Sequence, residues 1–277
     1  NRRASVTIWD MQFQQSIQKW KTLAGIGNKV STQKYHAEIE KIILNNWTAR
    51  AQKIDTVTDK QCSDFVLSVA HYSAPRFNAV MSAMRSILPG RSQHFQFRTV
   101  RVKHRDNVSQ LKFQTLLTEL DARPKSHAGL IVRFLSVTGL RIGAAGKLKW
   151  SDVNWEDCFI IAPGSIMKNG KPCLIPFVNG TRDVLERLQK ITGDSDFILP
   201  QTGCRRALRT ACKLAEMPNL THHDFRHIFT TRCIESGVDI PTVARWRGDS
   251  DNGALLLKVY VHLADSHSRK MASRVQI

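Results

Sequence analysis

"DCFIIAPGSIMKNGKPCLIPF", residues 157–177, carries the clearest strand signal in this chain. It holds β-rich runs interrupted at Pro163-Gly164 and Asn169-Gly170. An Asn-Gly pair between two such runs signals a tight type I′ turn, because both central positions of that turn need positive φ. The stretch therefore predicts a small hairpin with Asn169-Gly170 at its tip and Lys168 beside the turn. Working outward in both directions, the apolar residues recur at helical spacing instead. The predicted fold class is mainly α with a small β-sheet (α+β).

On the C-terminal side, "TRDVLERLQKI", "GCRRALRTACKLA", "THHDFRHIFTTRCIES", "IPTVARWRG" and "GALLLKVYVHL" read as helices. On the N-terminal side, so do "NVSQLKFQTLLTELDA" and "SHAGLIVRFLSVTGL". The first ninety or so residues are also helical in pattern. Trp9, Phe13, Ile17, Trp20 and Ala24 fall on one face at a 3.6 period. A second helix is expected to open with Ser31 as N-cap and to carry Tyr35, Ile39, Ile42 and Ile43 on one face. Two more follow, the second with Pro75 in its first turn. Between these halves, "PGRSQHFQFRTVRVKHRDN" (89–107) loses the helical period and is dense in cations, with room for a short strand. The expected organisation is a helical domain over 1–90, a basic linker over 91–107 and a larger domain over 108–277. Within the linker, Arg91, Arg98, Arg101, Lys103 and Arg105 are expected to face a polyanion; a solvated basic loop is the plainer reading.

The charge balance names the partner class. Lys and Arg total 41 against 23 Asp and Glu, a formal net charge of +18 over 277 residues. Such a surplus points first to nucleic acid and second to an acidic membrane surface. A hydrophobic fraction of 42% excludes a mainly disordered chain. No apolar run approaches the roughly 18–20 residues that span a bilayer. The first residues lack the apolar core of a signal peptide, and a cytoplasmic protein is expected. The chain begins with Asn1 rather than Met, which leaves room for a preceding segment. Six scattered cysteines without a CxxC pair fit reduced thiols. His222, His223 and His227 lack the partners of a zinc motif, so no metal is assigned.

Four features carry chemistry. In "HHDFRHIF" (222–229), His223, Arg226 and His227 stand at i, i+3 and i+4 and share a helix face. Two imidazoles beside a guanidinium suit a bound phosphate; a merely basic surface helix is the alternative. Arg141 follows a Thr-Gly bend in "SVTGLRIG", and Lys168 stands beside the expected turn. Taken singly, each is as well explained by an ordinary surface cation. Tyr260 lies late in the chain, in "LLLKVYVHLADS" (255–266); it reads either as a core aromatic or as a reactive hydroxyl, since flanking Leu255, Leu256 and Val259 can fill an apolar face without it.

In this order, "TGLRIG", "MKNGKP", "HDFRH" and "GALLLKVYVHL" resemble the boxes of the tyrosine recombinase (phage integrase) family, and the resemblance covers most of the chain. It implies a helical core-binding domain joined to a mixed catalytic domain, clamped around duplex DNA. It implies that Tyr260 attacks a phosphodiester to form a 3′-phosphotyrosine and free a 5′-hydroxyl. Arg141 and Arg226 would hold the non-bridging oxygens, Lys168 would protonate the leaving 5′-oxygen, and His223 would assist proton transfer at the tyrosine. The physics is consistent: a phenol of pKa about 10 needs help losing its proton, and fixed cations can stabilise the transition state without a metal. No cofactor is called for. The implied partners are double-stranded DNA, sister protomers in a tetramer on two DNA sites, and accessory DNA-bending proteins. Lys171 joins the linker cations as an expected DNA contact.

Two positions depart from the family pattern. Asp249, after the Gly of "RWRGDS", stands where His or Trp is usual, and an ionised carboxylate there would repel a phosphate unless it is turned away or hydrogen-bonds a neighbouring donor. Trp246 and His262 are the residues that could supply the missing contact. Ala144 stands where an acidic residue is usual. These departures keep a rival reading open: a recombinase-derived DNA-binding protein that does not cut. A type IB topoisomerase and a metal-dependent nuclease are further rivals, the latter lacking a carboxylate cluster.

Overall fold

The computed structural model describes residues 12–27, 30–100, 108–251, 253–254, 256–257 and 272. The chain divides into two compact units, Asn1–Lys103 and His104–Ile277.

The first unit is built from helices α1 (Phe13–Gly25), α2 (Val30–Asn46), α3 (Asp59–Ser68) and α4 (Ala74–Ile87). The expected apolar stripes explain their packing. Phe13 and Ile17 of α1 and Ile39 and Ile43 of α2 are buried, and Phe13 stacks on Trp47 at 4.3 Å between ring centroids. Tyr35 stays exposed, and Trp9 lies outside the described residues. Ser31 is not the N-cap of α2, since the helix already includes Val30. A cap does hold at Thr58, whose hydroxyl accepts from Gln61 N while its own N–H donates to Gln61 Oε1. Pro75 occupies the first turn of α4, where its missing N–H costs nothing. The Ser16 hydroxyl donates to Ile87 O at 3.0 Å and ties α1 to the end of α4.

Residues 89–100, expected to begin the basic linker, are bound to this unit. Pro89–His94 form a 3₁₀ turn, and no strand occurs among the described residues here. Phe95 is fully buried against Phe65. Asn78 and Arg98 exchange two hydrogen bonds of 2.8 Å through the Asn side chain and the Arg backbone. An apolar residue every few positions is enough to anchor such a stretch even without helical periodicity.

The second unit contains α5 (Gln110–Asp121), α6 (Ala128–Thr138), α7 (Ile142–Ala145), β1 (Val153–Asn154), β2 (Phe159–Ala162), β3 (Cys173–Pro176), α8 (Thr181–Thr192), α9 (Arg205–Leu214), α10 (His222–Glu235) and α11 (Ile240–Arg247). Helix α6 is apolar nearly all round, as a helix in the middle of a core must be. It contacts α5, α8 and α10. The three strands form an antiparallel meander in the order β1-β2-β3, with Ile160 opposite Ile175 and Ala162 opposite Cys173. Ile160, Ala162, Cys173 and Ile175 are buried, while Ile161 and Leu174 on the other face are exposed.

The expected two-residue turn does not form. The 163–172 connection between β2 and β3 includes a 3₁₀ turn at Gly164–Ile166. It then makes a second turn closed by Gly170 N donating to Met167 O at 3.3 Å. Lys168 and Asn169 are the central residues of that turn, and only Gly170 takes a positive φ, +73°. A type I′ turn would need positive φ at Asn169 as well.

Candidate active site

Four pieces of the second unit assemble one cationic cluster. The first is the bend from α6 into α7. Thr138 Oγ1 bonds back to Phe134 O, and Gly139 ends α6 with a φ of +62°. A Cβ on Gly139 would stand 2.3 Å from the Phe229 ring, so this position admits only glycine. The bend delivers Arg141, whose carbonyl accepts the first bonds of α7 and whose side chain remains 38% exposed.

The second piece is α10, capped by Thr221 and Asp224. Arg226 is 1% exposed, whereas His223, three residues before it on the same helix, is exposed. Its Nη1 donates to Gly139 O at 2.7 Å and to Arg247 O at 3.1 Å. Burial, reinforced by neighbouring Arg247, pushes its guanidinium below the ordinary range, and Asp249 pulls it back up. His223 is exposed and meets the half-buried His227 edge to face at 4.8 Å. His222 is buried, and its Nε2 accepts from Cys204 N at 3.0 Å. Burial first, then Arg205, lowers its pKa.

The third piece is the end of α11. Gly248 closes the helix with a φ of +65°, and Asp249 N donates to Ala244 O at 3.0 Å. This aims the Asp249 carboxylate at the arginines. Its Oδ1 lies 2.5 Å from Arg226 Nη2 and 3.3 Å from Arg141 Nη2, and its Oδ2 lies 3.3 Å from Arg247 Nε. Of the readings the sequence left open for Asp249, the one in which it bonds neighbouring donors holds: it is the counterion shared by three guanidiniums. Removing water from arginines 1% and 5% exposed is costly unless an anion is held among them. Arg247 was missed by the sequence reading; its Nη1 donates to Thr230 Oγ1 at 2.7 Å, one helical turn beyond Arg226. The two Arg residues bracketing Trp246 in "ARWRG" were the available signal. Trp246 is partly buried and packs on the apolar cluster of Phe229, Cys233, Ile234, Val243 and Ala244. Ala144 is buried in the main core, so no acidic slot is left open at that position.

The fourth piece is the β2–β3 connection. Asn169 Nδ2 donates to Gly248 O at 3.3 Å, and the Cys173 thiol donates to Arg245 O and Trp246 O. Burial raises that thiol's pKa to about 11, so it remains protonated and able to donate. A Cβ on Gly248 would stand 2.3 Å from Met167 Cε. These contacts place the loop bearing exposed Lys168 and Lys171 beside the residue that precedes Asp249. Tyr260 and His262 lie outside the described residues.

The linker cations divide. Arg91 is paired with Asp59 at 2.6 Å. Arg98 donates to Ala70 O at 2.8 Å and Tyr72 O at 3.3 Å and lies 3.8 Å from the Phe77 ring centroid. Both therefore have structural partners within the first unit. Arg101, Lys103 and Arg105 lie outside the described residues. Among the described residues, no helix is long and apolar enough to cross a membrane.

The phage integrase family profile matches residues 107–267. A tyrosine recombinase XerA of Pyrococcus horikoshii is 28% identical over 159 residues, covering 53% of this chain and 54% of its own length. A tyrosine recombinase of Agathobacter rectalis is 30% identical over 155 residues, 50% of this chain and 48% of its own. The chain thus spans about half the length of the curated relatives it matches. Among solved structures, the Tn1549 transposon integrase in complex with transposon right end DNA superposes with a TM-score of 0.74 at 16% identity. That match covers 96% of this chain and 99% of that one. A lambda integrase tetramer bound to a Holliday junction superposes with a TM-score of 0.71 at 14% identity, covering 92% of this chain and 84% of that one.

Proposed function

Because this chain belongs to the phage integrase family, we propose that it is a site-specific DNA recombinase that breaks and rejoins duplex DNA through a 3′-phosphotyrosine. The observation that carries this reading is the convergence of Arg141 and Arg226, from distant parts of the chain, on one anionic oxygen. Two guanidiniums fixed around one oxygen form a seat for the non-bridging oxygens of a phosphodiester. Tyr260 is the nucleophile. Arg141 and Arg226 stabilise charge on the pentacoordinate phosphorus. Lys168, on the loop held against Gly248, protonates the 5′-oxygen. His223, exposed at the first turn of α10, assists proton transfer at the phenol. His222 has a different role: its ring is committed to Cys204.

The bond energy of the phosphodiester is retained in the tyrosine ester, so a second 5′-hydroxyl can attack it and exchange strands. In this reading residues 1–90 act as a core-binding domain and 108–277 as the catalytic domain. The cationic 91–107 stretch and Lys171 lie along the phosphates, with Arg101, Lys103 and Arg105 the linker cations assigned to that role. The protein works in the cytoplasm, at the nucleoid, as a tetramer on two duplex sites with accessory bending proteins. Its task is the integration and excision of a mobile element. The structural likeness to integrases solved on DNA supports the DNA partner.

The Asp249 ion pairs favour one second reading, a DNA-binding protein whose arginine pair is permanently satisfied. A nicked duplex carrying the crossover site separates the two. The expected result is an SDS-resistant protein–DNA adduct in the presence of EDTA, absent from Tyr260→Phe. Salt-sensitive binding to a verified site without any adduct would instead establish the binding protein.

A further inference from the structure

Asp249 Oδ1 is held by Nη2 of Arg141 and Nη2 of Arg226, the two side chains assigned above to the phosphate. A carboxylate and a phosphate present similar pairs of charged oxygens to a guanidinium. They cannot both use the same donors without close repulsion between like charges. Three guanidiniums surround this one carboxylate, so the cluster retains a positive balance that attracts a further anion. The buried part of the surrounding frame has holds other than Asp249 Oδ1. Arg226 is fixed by Gly139 O and Arg247 O, and Arg247 by Thr230. The backbone of Asp249 is fixed by Ala244 O. The second oxygen of the Asp249 carboxylate already faces Arg247 Nε at 3.3 Å.

We propose that Asp249 is a built-in competitor of the scissile phosphate: its carboxylate occupies the Arg141–Arg226 seat and passes to Arg247 when a phosphate enters. This deepens the recombinase reading and rests on it for the identity of the phosphate. The competition reduces the affinity of the two arginines for an isolated phosphate. A cognate duplex overcomes it with contacts made elsewhere along the DNA, so that remote binding energy is used to open the seat. Asp249 is thereby a specificity-determining residue, which makes occupation of the reacting centre conditional on engagement of the whole site.

The test uses the full chain and inorganic phosphate as probe, with affinity read by calorimetry and folding checked by thermal melting. Asp249→Asn keeps the shape and removes the charge; it is expected to bind phosphate more tightly by on the order of tenfold. Adding Arg141→Ala is expected to abolish that gain. A folded Asp249→Asn chain that binds phosphate no better than the unaltered chain would overturn the proposal. If the variant does not fold, arginine side-chain NMR of the unaltered chain decides. Phosphate must shift the signals of Arg141, Arg226 and also Arg247; an unmoved Arg247 overturns the hand-over. Phosphate affinity does not involve Tyr260, so failure of the adduct experiment would reject the recombinase reading without mimicking either result here.

Discussion

Asp249 makes two buried arginines, Arg226 and Arg247, tolerable by placing a carboxylate between them. Burial acts on His222 with a measurable consequence. Burial depresses its folded pKa below that of the unfolded chain, so at mildly acid pH the unfolded state takes up more protons. Its stabilising contribution is complete above the unfolded histidine pKa of about 6.5 and is lost as pH falls through the lower folded value. Urea midpoints of the unaltered chain should therefore fall on acidification through this window. His222→Gln, which keeps an acceptor for Cys204 N but cannot titrate, should show a shallower fall; identical pH profiles would remove His222 as the cause.

At the scale of elements, the site depends on how helix ends and a loop meet. The α6–α7 bend places Arg141 and supplies the Gly139 carbonyl to Arg226. Gly139→Ala would force a Cβ into Phe229 at a left-handed position. A loss of about 2–4 kcal/mol is expected in denaturant unfolding; a cost below about 1 kcal/mol would show that the bend can relax. The β2–β3 connection departs from a two-residue hairpin because it has a second task. It must extend beyond the strands to reach Gly248 on α11. The Asn-Gly rule considers only the two strands and cannot register a contact made 79 residues away. Asn169→Ala removes that contact and the bond to Lys171 N. Its expected stability cost is about 1 kcal/mol. Its expected effect on adduct formation is larger, on the order of tenfold to a hundredfold, because the position of Lys168 is loosened. Unchanged adduct kinetics would separate Lys168 from the catalytic step.

At the scale of the whole molecule, the chain forms two units with separate apolar cores. Phe95 belongs to the first although it lies in a stretch whose charge suggested a linker. Phe95→Ala is expected to destabilise that unit by about 3–5 kcal/mol. Hydrogen exchange should show protection lost in α1–α4 and retained in α6 and α10. Equal loss in both units would mean that they unfold as one.

What the sequence determined by itself is the helical class, the small sheet and the family its boxes resemble. These follow from periodicity, turn residues and spacing, which are local along the chain. The tertiary structure decided the rest: Arg226 inside rather than on the surface, Arg247 as the third cation, Asp249 as their counterion, and the loop of Lys168 attached to α11. Each is a contact between segments distant in sequence. Its sign and strength depend on burial and on the nearest opposite charge, quantities that exist only once the chain has folded.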